Sequence, residues 1–208
     1  MNFDLTALER TLRTRSPGLM DSSRSYAVLV PLVEREGELC LLYEVRASTL
    51  RRQPGEVCFP GGRMEPGETP ETCALRETWE ELSIPQSRVK LLGRLDFIAH
   101  RANFLMWPVL GVVDSGALET MRPSPAEVDE VFFVPVSHFL EHPPIEYTYE
   151  LVPTPAVNFP YEVIGIPRDY KWQNGQENVP VYPWEGHAIW GLTGRITRNL
   201  IQIYRTPG

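Results

Sequence analysis

GGRMEPGETPETCALRETWEELSI, from Gly61 to Ile84, is the stretch on which the reading of this chain turns. Glu68 follows Gly62 by six residues, Arg76 and Glu77 come eight and nine later, and Glu80 and Glu81 close the set. Carboxylates at i, i+3 and i+4 share one helix face. Three anions on one face repel, and a hard divalent cation with oxygen ligands offsets that repulsion. The spacing therefore suggests a metal site, and its place beside a glycine turn suggests phosphate chemistry. A solvated acidic surface helix is the plain alternative. The common register of the double glycine, Glu68, Arg76 and the three glutamates weighs against it.

Thr69 suits the N-cap of this helix, Pro70 its first turn and Glu71 the positive end of its dipole, while Pro85 stops it. At 100° per residue from Glu77, Glu80 falls near ~300° and Glu81 near ~40°. Leu75, Thr78, Trp79 and Leu82 fall between roughly 100° and 200°, which predicts an apolar packing face separate from the carboxylate face. On that reading Trp79→Ala costs about 3–5 kcal/mol. Arg76, four residues before Glu80, can pair with it.

The same residues resemble the Nudix hydrolase signature, G-x5-E-x7-R-E-U-x-E-E-x-G-U with U aliphatic: Gly62, Glu68, Arg76, Glu77, Glu80, Glu81 and Ile84 match. Thr78 stands where an aliphatic residue is usual and Ser83 where glycine is usual. If position 83 is left-handed, serine strains the helix end by about 1 kcal/mol. Upstream, LYEVRASTLRRQPGEVCFPGGR (Leu42 to Arg63) is similar to L-L-T-x-R-[SA]-x3-R-x3-G-x3-F-P-G-G, the pattern of the coenzyme A pyrophosphatase branch. Tyr43 and Glu44 depart from it; Leu42, Arg46, Ala47, Arg51, Gly55 and Phe59 to Gly62 fit. Ile189 to Thr193, IWGLT, resembles a further run of that branch. The likeness spans about residues 25 to 205.

The resemblance implies an α/β/α sandwich with a mixed sheet between helices. It implies Mg²⁺ or Mn²⁺ held by Glu77 and Glu81, with Glu80 third and the Gly61 carbonyl joining them. Glu80, Glu81, Arg76 and Glu127 are the expected catalytic set. Glu127 is the carboxylate outside the signature and Glu130 its alternative; Glu68 braces the loop and helix. Arg46 and Arg51 are expected on substrate phosphates, which guanidinium groups bind bidentately. Arg51 and Arg52 are adjacent, so one of the two points into the site. The cation neutralises a pyrophosphate and activates water toward it.

At 208 residues the chain suits one packed domain, 1–208, with no Gly/Ser linker. A net charge of −7 argues against general nucleic-acid binding. An anionic substrate must then be held by local arginines and metal. Three cysteines, Cys40, Cys58 and Cys73, read as free thiols in a reducing compartment, with the cytoplasm the expectation. No apolar run approaches membrane-spanning length. His100, His138, His142 and His187 share no ligand spacing, and no run supports a nucleophilic serine.

Residues 4–14 read as an amphipathic helix, 26–34 and 38–46 as a hairpin, and Glu56 to Phe59 as a short strand into the glycine turn. Strands at 88–99, 104–113 and Val131 to Val134 follow, then a short helix from Pro135 to Leu140. Eleven prolines among residues 123–183 predict extended loops and edge strands. Residues 187–204 read as a helix. The expected activity is hydrolysis of coenzyme A or its derivatives to 3′,5′-ADP and 4′-phosphopantetheine or its acyl form. ADP-ribose or NADH is the alternative substrate. A non-catalytic nucleotide-binding module is the alternative class, disfavoured because every helix glutamate and Arg76 are retained. The family commonly forms homodimers; neither a nucleic acid nor a membrane is expected as partner.

Overall fold

A computed structural model describes residues 4–15, 20 and 24–206. Strand β1 (Arg24–Arg35) organises the rest. It turns through Glu36 and Gly37, both left-handed, into β2 (Glu38–Arg46), giving the expected antiparallel hairpin. β3 (Val57–Cys58) lies on β2, and β4 (Gly61–Arg63) lies antiparallel on β1 with Val28 opposite Gly61. β5 (Val89–Arg94) and β6 (Ile98–His100) both flank β7 (Phe104–Val113), which runs parallel to β1. β8 (Val128–Pro135) completes the eight-stranded mixed sheet along β2.

Side chains alternate across a strand, so β1 divides its apolar residues between two layers. Val28, Val30 and Leu32 pack with Ile196, Leu200 and Ile201 of the last helix, α6 (Gly191–Arg205). Ala27 and Leu29 face Cys73 and Ala74 of the glutamate helix, α2 (Pro70–Leu82). A mixed sheet between helices is thus the architecture, as expected. The Tyr43 hydroxyl meets Thr197 Oγ1 at 2.8 Å, and Thr193 Oγ1 donates to Val57 O at 3.0 Å, fixing α6 against the sheet.

Further α-helices among the described residues are α1 (Leu5–Thr14), the single-turn α3 (Ala117–Thr120) and α5 (Tyr161–Ile164), and α4 (Val136–Glu141). Asp4 caps α1, which buries none of its side chains. The proline-rich segment holds more order than loops and edges. β9 (Ile145–Leu151), β10 (Gly175–Trp184) and β11 (His187–Ile189) form a second, three-stranded antiparallel sheet. Residues 187–189 are therefore strand, and the C-terminal helix begins at Gly191.

The faces of α2 differ from the helical-wheel expectation. Pro70, Cys73, Ala74, Thr78, Glu81 and Leu82 are buried, whereas Leu75 is half-buried and Trp79 is 55% exposed. The buried arc centres near ~50°, not near ~150°, so packing and carboxylate faces largely coincide. Small side chains at 73, 74 and 78 let the helix lie close to β1; an indole there would hold it off. Trp79→Ala is accordingly expected to shift stability by only about 0.5 kcal/mol, the scale of a surface substitution. Thermal melting checks this, and a loss of several kcal/mol would restore the earlier orientation.

Candidate active site

Thr69 caps α2 by accepting from Thr72 N at 3.2 Å, and Pro70 opens the helix. Thr78 lies fully buried and its hydroxyl donates back to Ala74 O at 2.7 Å. At the other end Ser83 is left-handed (φ 57°), the geometry that favours glycine, and its Oγ donates to Arg122 O at 3.0 Å. Ser124 N donates to Glu81 O and Arg122 N to Leu82 O, so the helix end anchors the segment that carries Glu127.

The glycine turn and the helix meet through side chains. Gly61 N donates to Glu81 Oε2 at 2.8 Å. A Cβ on Gly61 would stand 2.4 Å from Ala27 O and 2.6 Å from Val28 Cα, both backbone, so only glycine permits this approach of β4 to β1. A Cβ on Gly62 would stand 2.4 Å from the Glu77 carboxylate, which therefore lies directly over that residue.

Arg76 is the hub of the acidic face. It binds Glu68 with two nitrogens, at 2.8 and 3.1 Å, Glu77 at 2.8 Å, Glu80 at 3.0 Å and Arg63 O at 3.2 Å. The guanidinium holds the Glu68 carboxyl well below the usual range, at about 2. Glu68 also accepts from Glu65 N at 2.7 Å, so it braces the loop, as expected.

Glu81 is 5% exposed, and burial, then the nearby Glu44, Glu77 and Glu127, push its carboxyl well up. Glu44, 1% exposed, is pushed up by burial and by Glu127 and Glu77. Its Oε1 accepts from Cys58 Sγ at 3.3 Å, while Oε2 is buried without a hydrogen-bond partner. Glu77 is raised by burial, with Arg76 opposing. Among the described residues, no three Asp, Glu, His or Cys side chains are already drawn together in ligand positions. Arg76 occupies Glu77 and Glu80, and Gly61 N–H occupies Glu81. A divalent cation fits what remains: buried carboxylates raised by one another, and an orphaned acceptor.

These shifts set a pH dependence. For Glu44, Glu77 and Glu81 the folded-state values exceed the unfolded one near ~4.3, so their contribution is full below that value and is lost as pH rises through the folded-state values. Glu68 runs oppositely: its contribution is present above the ordinary range and lost as pH falls toward about 2. In chelator, the melting temperature is expected to fall as pH rises above about 5, and added Mg²⁺ or Mn²⁺ to flatten the fall. A melting temperature that rises over the same interval would contradict the raised carboxyls.

A cavity of about 710 Å³ opens beside this cluster. Gly61, Gly62, Glu81, Arg46, Cys58 and Glu127 line it. Glu127 is carried there by Ala47 N, which donates to its carbonyl at 2.8 Å, and by Ser48 N, which donates to Asp129 at 2.8 Å. Glu130 instead lies 3.3 Å from His187 Nε2. Arg46 reaches the cavity with a buried, unpartnered Nε. Arg52 rather than Arg51 joins the lining, with Leu50 and Gln53 beside it. Trp190, Gly191, Leu192 and Thr193 line it too.

Sequence reading missed Glu44, Arg24, Arg101 and Arg195. Glu44 had a signal: a carboxylate inside the apolar run of β2, two residues before Arg46 and so on the same face. The others come together only through tertiary structure.

The NUDIX domain model matches residues 23–153, most of the chain, and the chain belongs to the Nudix family. Within it, the chain is 41% identical over 131 residues to peroxisomal coenzyme A diphosphatase NUDT7 of Mus musculus, covering 62% of this chain and 54% of that protein. The chain thus spans about half the length of that relative. Mitochondrial coenzyme A diphosphatase NUDT8 of Homo sapiens is 35% identical over 188 residues, covering 88% of this chain and 70% of the other. The uncharacterized Nudix hydrolase NudL of Photorhabdus laumondii subsp. laumondii is 32% identical over 185 residues, covering 88% and 87%. Among the described residues no helix is long and apolar enough to cross a membrane.

Proposed function

We propose that this chain is a divalent-metal-dependent pyrophosphohydrolase of coenzyme A or its derivatives, releasing 3′,5′-ADP and 4′-phosphopantetheine or its acyl form. One observation carries the reading: a single cavity is lined by the glycine turn, Glu81 and Glu127 together with arginines Arg46 and Arg52. Such a site accommodates a cation and a polyanion together. The names of the two coenzyme A diphosphatase relatives support the substrate class.

Glu81 and Glu77 would hold Mg²⁺ or Mn²⁺, with Glu80 third and the Gly61 backbone beside them. The cation supplies charge neutralisation of the pyrophosphate and Lewis acidity toward water. Arg46, its Nε otherwise unpartnered, takes a pyrophosphate oxygen and orients the scissile bond. Arg76 fixes Glu77 and Glu80 from behind, and Glu127, the carboxylate on the cavity wall, is the proton acceptor for the attacking water. Three free thiols support a reducing compartment, with cytoplasm as the reading, and homodimerisation is proposed on the family resemblance alone.

The test is a panel of coenzyme A, an acyl-coenzyme A, ADP-ribose and NADH with Mg²⁺ or Mn²⁺, with the products separated and quantified by chromatography. Coenzyme A substrates are expected to give the highest kcat/KM. Preference for ADP-ribose or NADH would move the substrate assignment, and tight binding without turnover would make the chain a binding module.

A further inference from the structure

Glu44 is a buried carboxylate that the signature helix does not account for. It stands in β2, at a position where the chain departs from the branch pattern, and is 1% exposed. Alternation along the strand puts it on the same face as Leu42. Leu42 shares an apolar cluster with Leu82 and Ile84, at the end of α2. Glu44 therefore faces from the sheet toward the part of α2 that carries Glu77 and Glu81. Its carboxyl lies close enough to feel the charges of Glu77 and Glu127, and to act in turn on Glu81.

Burying a carboxylate in a strand is costly unless each oxygen finds a donor or a cation. Oε1 has a donor, the Cys58 thiol at 3.3 Å, across the β2–β3 pair in which Glu44 stands opposite Cys58. Oε2 has none. Among the described residues, two buried side-chain polar atoms lack a hydrogen-bond partner, this oxygen and Arg46 Nε. Both residues lie on one face of β2, yet these two atoms do not bond to each other. The glutamates of α2 are engaged differently: Glu77 and Glu80 each give an oxygen to Arg76, and Glu81 gives one to Gly61 N. Pairing with Cys58 on one side and Val131 on the other fixes the strand at Glu44. Its Oε2 is thus an acceptor already out of water, rigidly mounted and committed to no protein donor. A thiol donates weakly, so Cys58 directs the carboxyl without competing strongly for its charge.

We propose that Glu44 is a further ligand of the divalent cation, giving Oε2 from the sheet while α2 gives Glu77 and Glu81, and that Cys58 is the positioning residue that turns its carboxyl. The inference rests on the metal-dependent reading and adds to it a ligand outside the signature helix. It accounts for a carboxylate in the apolar interior of β2, where an aliphatic side chain would pack without the cost. The same strand carries Arg46 to the cavity wall, so one rigid element places a cation ligand and an anion-binding guanidinium two residues apart.

The test is Mn²⁺ binding to the substrate-free protein, read by electron paramagnetic resonance on the wild type and on Glu44→Gln. The glutamine keeps the shape and the acceptor for Cys58, and removes the charge offered to the cation. Mn²⁺ affinity is expected to fall about ten- to a hundredfold or more, at least the loss seen when a partner of a metal ligand is removed. In chelator the variant is expected to melt no lower than the wild type. Unchanged Mn²⁺ affinity in a folded Glu44→Gln protein would overturn the proposal and leave the metal-dependent reading standing. Cys58→Ala and Cys58→Ser carry the test if Glu44→Gln does not fold: alanine is expected to weaken Mn²⁺ binding several-fold, and serine, which restores a donor, to recover it. Equal affinity in the wild type and both cysteine variants would then overturn the proposal. A wild type that binds no Mn²⁺ overturns it together with the metal-dependent reading.

Discussion

Glu81→Gln is expected to lower turnover by about 10²-fold or more while the protein still folds, the scale on which a single proton-transfer or charge-stabilising group contributes. The substitution keeps the shape of the side chain and lets the amide oxygen still accept from Gly61 N–H, now at 2.8 Å from the carboxylate. It replaces an ionisable carboxyl, which burial and the neighbours Glu44, Glu77 and Glu127 hold toward its neutral form without metal, by an amide that is always neutral. In chelator the variant should therefore melt no lower than the wild type and should gain less on addition of Mn²⁺. Kinetics and paired melts check this. Near wild-type turnover would remove Glu81 from the site. A collapsed fold in chelator would make its role structural.

Arg76→Ala is expected to damage both stability and activity. Arg76 is the shared partner of Glu68, Glu77 and Glu80, and its loss leaves three carboxylates facing each other around Arg63 O. The guanidinium is partly exposed, so solvent screens part of the effect. About 1.5–3 kcal/mol is the expected cost, the scale of hydrogen bonds to charged groups. Turnover should fall as well, because Glu77 loses the contact that sets its direction over Gly62. Arg76→Lys should recover part of the stability and little of the activity, since an ammonium group does not reproduce the two-nitrogen contact with Glu68. A stable, fully active Arg76→Ala protein would contradict the hub.

Much of this was readable from residues 61–84. The cap at Thr69, the pairing of Arg76 with Glu80, the bracing role of Glu68 and the left-handed strain at Ser83 all follow from local spacing, which acts within one helix and its ends. The hairpin followed too, since apolar, β-branched-rich runs at 26–34 and 38–46 are separated by Arg-Glu-Gly, a turn signal. What the chain did not disclose depends on partners distant in sequence. Trp79 was placed on the packing face because a wheel ranks residues by hydrophobicity. The actual face is set by which residues are small enough to sit on Ala27 and Leu29. Arg52 rather than Arg51 lines the cavity, a choice that local spacing left open. The second sheet lay hidden under prolines at 180 and 183, tolerated because β10 is paired on one side only at each, with β9 at Pro180 and with β11 at Pro183. Arg24, Arg101 and Arg195 lie on three separate elements, and only the fold brings them to one cavity.

Mass identification of the products formed from coenzyme A by the purified protein, with Mn²⁺ or Mg²⁺ and in parallel with chelator, tests the central claim most directly. The account predicts 3′,5′-ADP and 4′-phosphopantetheine in equal amounts with the cation, and neither in chelator. Undegraded coenzyme A with either cation, or the same two products in chelator, would contradict it.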